Sequence, residues 1–491
     1  MPADHTLYHQ IADSLARSIR SGALRRGERL PSVRRIARDR NVSLATATQA
    51  YRWLEDARLV EARPRSGYFV AARPTTIGEP QASSPPLVAQ RVDRASLAAQ
   101  VLRLAEDPSV VSFGAACPAE DLFDNERLRR AVTKTALRHR SQLAHYGRVP
   151  GHELARRAVA RHALRLGCEL DPQRLLLTGG CLEAVTLALR AITQPGDVVA
   201  IESPAYFGFL QVLEQLQLKA LEIPTDPRHG LVVDALQLAL DTQPVKAVLV
   251  VPTLSNPIGA SMPLDERRRL AQLAASRGVP VIEDAIYHDF CPDDERRRAV
   301  RSFDPTGHVL LCSSFSKSLA PGLRLGWIDA GRWHAQVERL RATTVGGGSP
   351  IVELAIAELL AQPGIEAGLR QLRHRVDGRV DQARELIAQS FPSGTRVTDP
   401  AGGFILWVEM PQAVDSMRLY ELCLDERIVI APGTLFSATE RYRHCIRIGV
   451  GGAWNEATQR ALARVGALAG ELVDRAAGVP RVPAFHLGML P

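Results

Sequence analysis

Two kinds of hydrophobic periodicity divide this chain of 491 residues. Near the start, apolar side chains recur every four residues and predict one amphipathic helix: Leu7, Ile11, Leu15 and Ile19. From about residue 96 to residue 475, apolar runs of strand length alternate with helical segments, as where RLLLTGG precedes CLEAVTLALRAI. That alternation is typical of a mostly parallel sheet covered by helices, so an α/β body is predicted.

Two more helices and two strands are predicted ahead of that body. Ser32, after Pro31, is a suitable N-cap for the first helix, and Ser43 is suitable for the second. The second helix is expected to turn four side chains toward a core: Ala47, Ala50, Tyr51 and Leu54. Alternating residues in LVEARPRSGYFVA then predict two strands joined by a tight turn. The sum is a helix-turn-helix followed by a β-wing.

Composition sets the remaining boundaries. Residues 73–95 are rich in Pro, Ser and Thr without apolar periodicity, which predicts a mobile linker. Residues 476–491 are irregular and indicate no role. The predicted organisation is a winged helix-turn-helix domain over 1–72, a linker over 73–95, a body over 96–475 and a tail.

The net charge of +8 is concentrated at one end of the chain. Residues 1–75 hold 14 arginines, no lysine and 7 acidic residues, which gives +7. A small basic module ahead of a nearly neutral body suggests a head that binds a polyanion. Charge alone leaves open an arginine-rich domain with no such ligand.

Cysteine usage and hydropathy bear on location and metals. The seven cysteines are scattered, with no Cys-x-x-Cys pair, which favours a reducing cytoplasm and argues against a disulfide or zinc framework. No metal site is therefore predicted. No apolar run approaches the roughly 20 residues that span a bilayer, and the first residues lack a secretion signal pattern. A cytoplasmic protein without membrane contact is expected.

One lysine stands out because the chain has only four. Lys317 lies in CSSFSKSLAPGLRLGW, and an amine, unlike a guanidinium, can lose its proton and bond to an aldehyde. Ser314, three positions earlier, and Arg324, seven later, are groups that can hold a phosphate. A solvated loop lysine is the alternative, and the other motifs decide between the two.

Three further motifs place polar groups at the ends of predicted strands. Gly180 and Cys181 lie between a strand and a helix, where backbone N–H groups can cradle a phosphate, although a simple turn is the alternative. Asn256 lies in a turn before a proline, and Asp284 ends a buried strand. The carboxyl ends of strands are where open α/β sheets bind ligands.

Through the phrases RLPSVRRIA, VSLATATQAYRWLE and RSGYFV, the N-terminal stretch resembles the winged-helix DNA-binding domain of GntR-type regulators. The resemblance implies that eight residues lie near double-stranded DNA: Arg34, Ser43, Thr46, Thr48, Gln49, Arg63, Arg65 and Gly67. In that interpretation Arg34 and Ser43 anchor the DNA backbone, whereas Arg63 and Arg65 contact phosphate or the minor groove.

The recognition helix departs from the family pattern. Leu44 and Thr48 stand where many relatives carry arginines. Base readout would then rest on Thr46, Thr48 and Gln49, with apolar contacts to thymine methyl groups. Ordinary exposed helix positions are the alternative for the two threonines.

The body resembles fold-type I aminotransferases, through SSFSKSLAPGLRLGW and motifs in the same order along the chain. The resemblance implies that Lys317 binds pyridoxal 5′-phosphate through its aldehyde. It implies a phosphate site of four residues: Gly180, Cys181, Ser314 and Arg324. It also implies that Tyr206 stacks on the pyridine ring, although a core tyrosine is the alternative, that Asn256 and Tyr287 reach the ring's 3′-oxygen, and that Asp284 pairs with the ring nitrogen.

Three other positions follow from the same resemblance. Tyr146, in HYGRVPG, would reach the cofactor phosphate of a neighbouring subunit, which implies a homodimer arranged head to tail through the aminotransferase-like domain. Arg447, in HCIRIGV, would hold the α-carboxylate of a substrate or effector, and Gly114 would lie beside that ligand. Departures from the pattern are Cys181 in place of a polar residue, Ala115 in place of glycine, and Ala155 within the usual Leu-Arg pair.

The whole order of parts resembles the MocR subfamily of GntR regulators. That resemblance implies an N-terminal winged helix-turn-helix joined to a fold-type I body, with a mostly parallel sheet and a smaller α+β domain. The implied function is a DNA-binding transcriptional regulator that senses an amine or amino acid, or the cofactor itself. The alternatives are an active aminotransferase that uses a 2-oxo acid and carries a DNA-binding head, and a regulator that responds to cofactor level alone.

Overall fold

The computed structural model describes residues 7–20, 24, 28–56, 59–63, 67–71, 77–92, 95–292 and 296–478. The chain forms two compact units, residues 1–75 and residues 76–491, and each is described by itself.

The N-terminal unit is a three-helix module with a small sheet. Its elements are α1 (Leu7–Arg20), α2 (Val33–Asp39), α3 (Leu44–Asp56), β1 (Val60–Arg63) and β2 (Gly67–Val70). Both predicted N-caps are confirmed: Ser32 Oγ accepts from Arg35 N at 3.2 Å, and Ser43 Oγ accepts from Thr46 N at 3.0 Å.

The core of this unit agrees with the predicted helix faces. The four residues expected inside on α3 are all buried: Ala47, Ala50, Tyr51 and Leu54. Helix α1 buries Ile11 and Leu15, whereas Leu7, at its first turn, is 61% exposed. The Tyr51 hydroxyl donates to the Pro31 carbonyl at 2.5 Å, which ties α3 to the segment ahead of α2.

The wing contains more backbone pairing than the sequence indicates. Strands β1 and β2 are antiparallel, as predicted, with Val60 opposite Val70. A segment before α2 also joins the sheet, because Leu30 N donates to Tyr68 O at 2.8 Å and Val70 N donates to Glu28 O at 2.9 Å. The predicted turn residue Arg65 lies outside the described residues.

The second unit contains a large helix-covered sheet and a smaller domain. Its helices are α4 (Ala95–Ala105), α5 (Asn125–Arg138), α6 (Glu153–Ala163), α7 (Cys181–Ile192), α8 (Phe207–Gln215), α9 (Val233–Thr242), α10 (Leu264–Arg277), α11 (His334–Thr344), α12 (Pro350–Ala361), α13 (Ile365–Ser390), α14 (Ser416–Asp425) and α15 (Glu456–Ala476). Its strands are β3 (Gln90–Arg91), β4 (Val111–Ser112), β5 (Leu175–Thr178), β6 (Val198–Ser203), β7 (Lys219–Asp226), β8 (Gly230–Leu231), β9 (Val245–Val250), β10 (Val281–Asp284), β11 (Val309–Ser314), β12 (Gly326–Asp329), β13 (Arg396–Val397), β14 (Ile405–Glu409), β15 (Ile428–Val429), β16 (Ala431–Pro432) and β17 (Cys445–Gly449).

The large sheet has the order β3-β7-β6-β9-β10-β11-β12-β5, with β8 paired to β7. Strands β7, β6, β9, β10 and β11 are mutually parallel, and β12 runs antiparallel between β11 and β5. The mostly parallel, helix-covered sheet is therefore confirmed. Because parallel strands end at one edge, the carboxyl ends of β6, β10 and β11 meet there and define the place for a ligand.

The smaller domain holds an antiparallel sheet of order β13-β14-β17-β16. Helices α13, α14 and α15 accompany it, and the long α13 buries one side that includes Val376 and Val380. Both β14 and β17 are buried along nearly their whole length. Strand β17 brings Arg447 between Trp407 on β14 and Ala431 on β16.

Residues 77–92, here called the strap, differ from the predicted mobile linker because they bond to the second unit. Ser83 N donates to Thr225 O at 3.0 Å, and Ser83 Oγ donates to Ser203 O at 2.5 Å. Strand β3 extends the large sheet by pairing with β7. The strap also reaches the smaller domain, since Val397 N donates to the Gly78 carbonyl at 2.9 Å. Its contacts combine such hydrogen bonds with an ion pair between Glu79 and Arg228 and scattered apolar side chains such as Leu87 and Val92, which form no hydrophobic period in the sequence.

The C-terminal helix α15 ends at Ala476, where the predicted tail begins. Residues 479–491 of that tail lie outside the described residues.

Candidate functional site

Lys317 follows β11 and is only partly exposed. Its Nζ donates to the Ala116 carbonyl at 2.7 Å and lies 4.0 Å from the Cys117 thiol. Burial lowers the pKa of this ammonium group, and the positive charges of Arg447 and Arg324 act in the same direction. An amine that deprotonates more readily is suited to attack a carbonyl carbon.

Asp284, at the end of β10, is a buried carboxyl group with two hydrogen-bond donors. The Cys181 thiol donates to its Oδ1 at 3.0 Å, and Ile286 N donates at 2.9 Å. Burial raises the pKa of Asp284 to about 6. A cation beside a buried carboxylate stabilises its charged form. Asp284 is therefore suited to accept a hydrogen bond from a protonated ring nitrogen.

The raised pKa of Asp284 predicts how stability depends on pH. Between about pH 4 and about pH 6 the folded protein holds a proton that the unfolded chain has released, so stability falls as pH rises through that window. Asp284→Asn removes the charge and is expected to raise the free energy of unfolding of the cofactor-free protein by about 1–3 kcal/mol at neutral pH, with no gain near pH 4. Urea denaturation at both pH values measures this difference.

Asp304→Asn is the matched control, because its effect should have the opposite sign. Although burial acts to raise the pKa of Asp304, hydrogen bonds from Thr306 and Val309 hold it below the usual value. The Asp304 carboxylate thus stabilises the folded protein at pH values above the ordinary carboxyl pKa. That stabilisation is lost as the pH falls through the lowered pKa. A loss of stability at neutral pH in Asp284→Asn would contradict the account of Asp284.

Arg447 joins the two domains of the second unit through a buried polar network. Its Nη1 donates to Asn256 Oδ1 at 3.2 Å, and its Nη2 donates to the Gly114 carbonyl. Asn256 in turn donates from Nδ2 to the Tyr287 hydroxyl at 3.4 Å. The guanidinium also lies 5.4 Å from the centre of the Phe207 ring.

The charge of Arg447 has no acidic partner among the described residues. The side chain is fully buried, and its Nε has no hydrogen-bond partner in the part of the chain that the structure describes. A buried cation without an anion is costly. The arrangement is therefore suited to receive a carboxylate from a ligand.

Gly180 and Arg324 form one wall of a candidate phosphate site. Gly180 has φ of +138°, which favours glycine, and a Cβ there would come within 2.8 Å of Arg324 Nη2. Arg324 Nη1 donates to Ser316 Oγ at 3.0 Å, and Ser314 Oγ accepts from Ser316 N at 3.3 Å. Together with the first N–H groups of α7, these donors fit a phosphate dianion.

Tyr206 precedes α8, with its ring against those of Phe207 and Phe209 at centroid distances of 4.9 and 5.3 Å. A Cβ at position 208 would lie 2.4 Å from Tyr206 Cε1, so the absence of a side chain at Gly208 leaves room for the Tyr206 ring. Burial raises the pKa of Tyr206 to about 12, and the charges of Arg447 and Asp284 both act on it. The tyrosine is therefore close enough to Arg447 and Asp284 to interact with their charges.

Two predicted residues have different placements. Gly114 has no room for a side chain, since a Cβ would lie 2.8 Å from Val101 Cγ1, and its carbonyl receives the Arg447 guanidinium. Gly114 can therefore influence a bound ligand by positioning the Arg447 side chain. Tyr146 is fully exposed, and its role at a neighbouring subunit's cofactor stays a prediction.

Sequence reasoning missed Ser316 and Cys117. Ser316 is next to Lys317 in SFSK, so its hydroxyl was a candidate for the phosphate site from its position alone. Cys117 lies in AACPAE, with no pattern that links it to a lysine 200 positions later. Only the fold brings the two together.

The predicted DNA-contacting residues on the helices are partly engaged within the unit. Arg34 and Gln49 are exposed. Ser43 caps α3, and its Oγ lies 2.8 Å from Thr46 Oγ1. Thr48 Oγ1 donates to the Leu44 carbonyl at 2.7 Å, so this hydroxyl has only its acceptor side left for a base.

The wing residues Arg63 and Gly67 are described, whereas the predicted contact residue Arg65 is not. Arg63 Nε donates to Glu61 at 2.7 Å, and its guanidinium lies 4.4 Å from the centre of the Phe69 ring. A phosphate would have to compete with Glu61 for this arginine. Gly67 has φ of +101°, which favours glycine at the start of β2.

The fold and the site define a class of protein: a winged helix-turn-helix domain joined to a body of the aminotransferase type. Two family models match, "Bacterial regulatory proteins, gntR family" over residues 7–70 and "Aminotransferase class I and II" over residues 119–465. The chain therefore belongs to the class I and II aminotransferase family, with a GntR domain at its N-terminus, which is the MocR-type architecture.

Relatives share one or both units. The uncharacterized HTH-type transcriptional regulator YjiR of Escherichia coli is 34% identical over 94% of this chain and 98% of its own. Aromatic-amino-acid aminotransferase 1 of Thermococcus litoralis is 26% identical over 72% of this chain and 87% of its own. The multiple substrate aminotransferase of Thermococcus profundus superposes with a TM-score of 0.72 at 25% identity, over 78% of this chain and 96% of its own.

The GntR domain implies that the chain binds DNA. Among the residues that the structure describes, no helix has the length and apolar character to cross a bilayer.

Proposed function

We propose that this transcriptional regulator binds pyridoxal 5′-phosphate at Lys317 and senses an amine that carries a carboxylate, such as an amino acid. The observation that supports this most strongly is Arg447, a fully buried cation without an acidic partner among the described residues. Arg447 contacts Asn256, and its charge lowers the pKa of Lys317, which supports the assignment of all three residues to one site.

The chain's own groups divide the work of holding the cofactor. Arg324, Ser314, Ser316 and the start of α7 would hold the phosphate, and Asp284 would hold the ring nitrogen in its protonated form. Tyr287 and Asn256 would donate to the oxygen on the ring. When bound, the cofactor supplies an aldehyde that exchanges amines and a ring that withdraws electrons.

Arg447 is also the proposed link between ligand and conformation. It lies on β17 of the smaller domain and donates to Asn256 of the large-sheet domain. A carboxylate on Arg447 would change the balance of these contacts and favour one arrangement of the two domains. In a homodimer, such a change would alter how two DNA-binding units engage paired half-sites. Tyr146 is proposed to complete the partner's phosphate site in that dimer.

Arg34 offers a test of the DNA-binding half. Arg34→Ala is expected to weaken binding to DNA from upstream of the gene about tenfold and to reduce the salt slope by about one. Fluorescence anisotropy at several salt concentrations measures both. The neighbouring Arg35 pairs with Asp39 at 3.5 Å, so Arg35→Ala is the matched control. Equal losses in both variants would indicate general charge attraction and contradict a specific phosphate contact by Arg34.

One experiment separates sensing from catalysis. Purified holoprotein is given candidate amino acids, and operator binding is followed in the same samples as oxo-acid production with a 2-oxo acid present. An amino acid that changes DNA affinity at stoichiometric conversion supports the sensor. Sustained turnover without any effect on DNA binding would favour the second candidate, an active aminotransferase, which the presence of Lys317, Asp284 and Arg447 supports. A change in DNA affinity when cofactor alone is added would favour the third candidate, a regulator that responds to cofactor level.

A further inference from the structure

Three metal-ligating side chains meet in a buried cluster behind the Lys317 loop. His162 comes from α6, and His288 and Asp289 come directly after Tyr287. His162 Nε2 and His288 Nε2 each lie 3.3 Å from Asp289 Oδ1, and the two nitrogens are 3.4 Å apart. All three side chains are at most 5% exposed.

These separations match the edges of a tetrahedron around zinc. Zinc lies about 2.0–2.1 Å from histidine nitrogen and about 2.0–2.2 Å from carboxylate oxygen, so tetrahedral ligands are about 3.3 Å apart. Octahedral ligands at the same bond lengths would be only about 2.9 Å apart. The cluster therefore has the size of a tetrahedral site with three ligands from the protein.

Hydrogen bonds outside the cluster orient its ligand atoms. His288 Nδ1 lies 2.5 Å from the Ala285 carbonyl, an acceptor, so Nδ1 carries the proton and Nε2 presents its lone pair to the cluster. Ser318 Oγ donates to Asp289 Oδ2 at 2.6 Å and fixes the carboxylate. The other oxygen, Oδ1, is buried and has no hydrogen-bond partner among the described residues.

The protonation states also suit a metal. Burial lowers the pKa of His288 to about 4, so its imidazole is neutral at physiological pH. Although burial acts to raise the pKa of Asp289, its contacts with His288, His162 and Arg165 hold it well below the usual value. Two imidazoles and one carboxylate form a donor set that zinc commonly takes in proteins.

The charged neighbours limit the affinity without filling the site. Arg165 Nη2 is 3.7 Å from Asp289 Oδ1, beyond hydrogen-bonding distance, and its guanidinium pairs with Glu366. Arg373 donates to Glu366 at 3.0 Å and to the Asp289 carbonyl at 2.9 Å. A third buried arginine, Arg297, also acts on Arg165 and Glu366, so a dication would add charge to a group that already holds more arginines than carboxylates.

We propose that His162, His288 and Asp289 form a tetrahedral site for a divalent metal ion of the zinc type. The metal would fix the segment after Tyr287 to Ser318, the residue next to Lys317, and so stiffen the candidate cofactor site from behind. His162 lies 126 residues from His288, which is why no local metal motif appears in the sequence.

Cobalt is the probe, because tetrahedral Co²⁺ has intense visible bands. Untagged full-length protein is stripped with a chelator and titrated with Co²⁺ and then with Zn²⁺. Wild type is expected to take up one equivalent with a tetrahedral spectrum that lacks a thiolate charge-transfer band, and Zn²⁺ should displace it and raise the melting temperature.

Two variants remove one ligand each. His162→Gln and Asp289→Asn are expected to weaken metal affinity more than about 100-fold, since loss of even an outer-shell partner costs 10–100-fold. His308→Gln is the matched control, because His308 is buried as deeply as His162 but contacts Thr306 and Arg332 instead. It should retain wild-type affinity.

Three outcomes would overturn the proposal: no Co²⁺ uptake by wild type at micromolar concentrations, an octahedral or thiolate spectrum, or unchanged affinity in both ligand variants. If the variants fail to fold, as judged by circular dichroism, the wild-type spectrum alone still decides. A cluster that is only a buried hydrogen-bonded network would give the first outcome.

Discussion

Lys317→Ala is expected to abolish the visible absorbance that pyridoxal 5′-phosphate gives the wild-type protein. The variant loses the only amine among the predicted site residues, and with it the covalent bond to the aldehyde. Cofactor that still binds through Arg324 and Asp284 should wash out on gel filtration, whereas wild type should keep about one equivalent per chain. Borohydride treatment followed by peptide mass analysis should mark the Lys317 peptide in wild type alone.

Lys246→Ala is the control for this experiment, because Lys246 is an exposed lysine on β9. It should retain the absorbance and the borohydride-dependent mass. A wild-type protein that shows no visible band when saturated with cofactor, or a mark on another lysine, would refute the assignment of Lys317. Regulation of DNA binding by an amino acid should also disappear in Lys317→Ala after gel filtration, because the cofactor that carries the aldehyde is no longer retained.

Arg447→Leu is expected to lower the affinity for an amino-acid effector by about 100-fold or more while cofactor absorbance stays. A guanidinium that pairs with a carboxylate contributes two charge-assisted hydrogen bonds, each worth about 1.5–3 kcal/mol. Leucine fills part of the volume between Phe207 and Phe436, against which the guanidinium packs. Titration of the cofactor band with the amino acid and with its decarboxylated amine measures the effect.

The two ligands separate carboxylate recognition from general damage. The amino acid should lose most of its advantage over the amine in Arg447→Leu, because only the amino acid has a carboxylate for Arg447. Arg443→Leu is the matched control, since Arg443 lies four residues earlier, is 58% exposed and pairs with Asp415. If affinity for the amino acid is unchanged in Arg447→Leu, this arginine does not hold the effector.

The large sheet was predictable because its central strands are buried on both faces and therefore form continuous apolar runs. Strands β6, β9, β10 and β11 lie where such runs occur. Strand β7 could not be predicted from such a run, because Lys219, Glu222 and Pro224 interrupt its apolar pattern. Glu222 is buried there and accepts hydrogen bonds from Ser203 and Ser437, contacts that only the fold supplies.

The candidate site was predictable as far as its members occur in motifs that resemble a known family. Asp284 and Lys317 each end or follow a strand, and the order of the strands in the sheet brings them together. Contacts between distant segments could not be predicted, such as Cys117 with Lys317 or the Cys181 thiol with Asp284. The same limit hid the cluster of His162, His288 and Asp289.

The strap has a practical consequence for dissecting the two units. A sensor fragment that begins at residue 96 would lack Ser83 and strand β3, and so would uncover the start of the β7 edge, at Lys219 and Ala220. An unpaired strand edge is a template for intermolecular pairing, so such a fragment should aggregate. A fragment that begins at residue 77 keeps this edge covered and is the one to use for ligand binding without DNA.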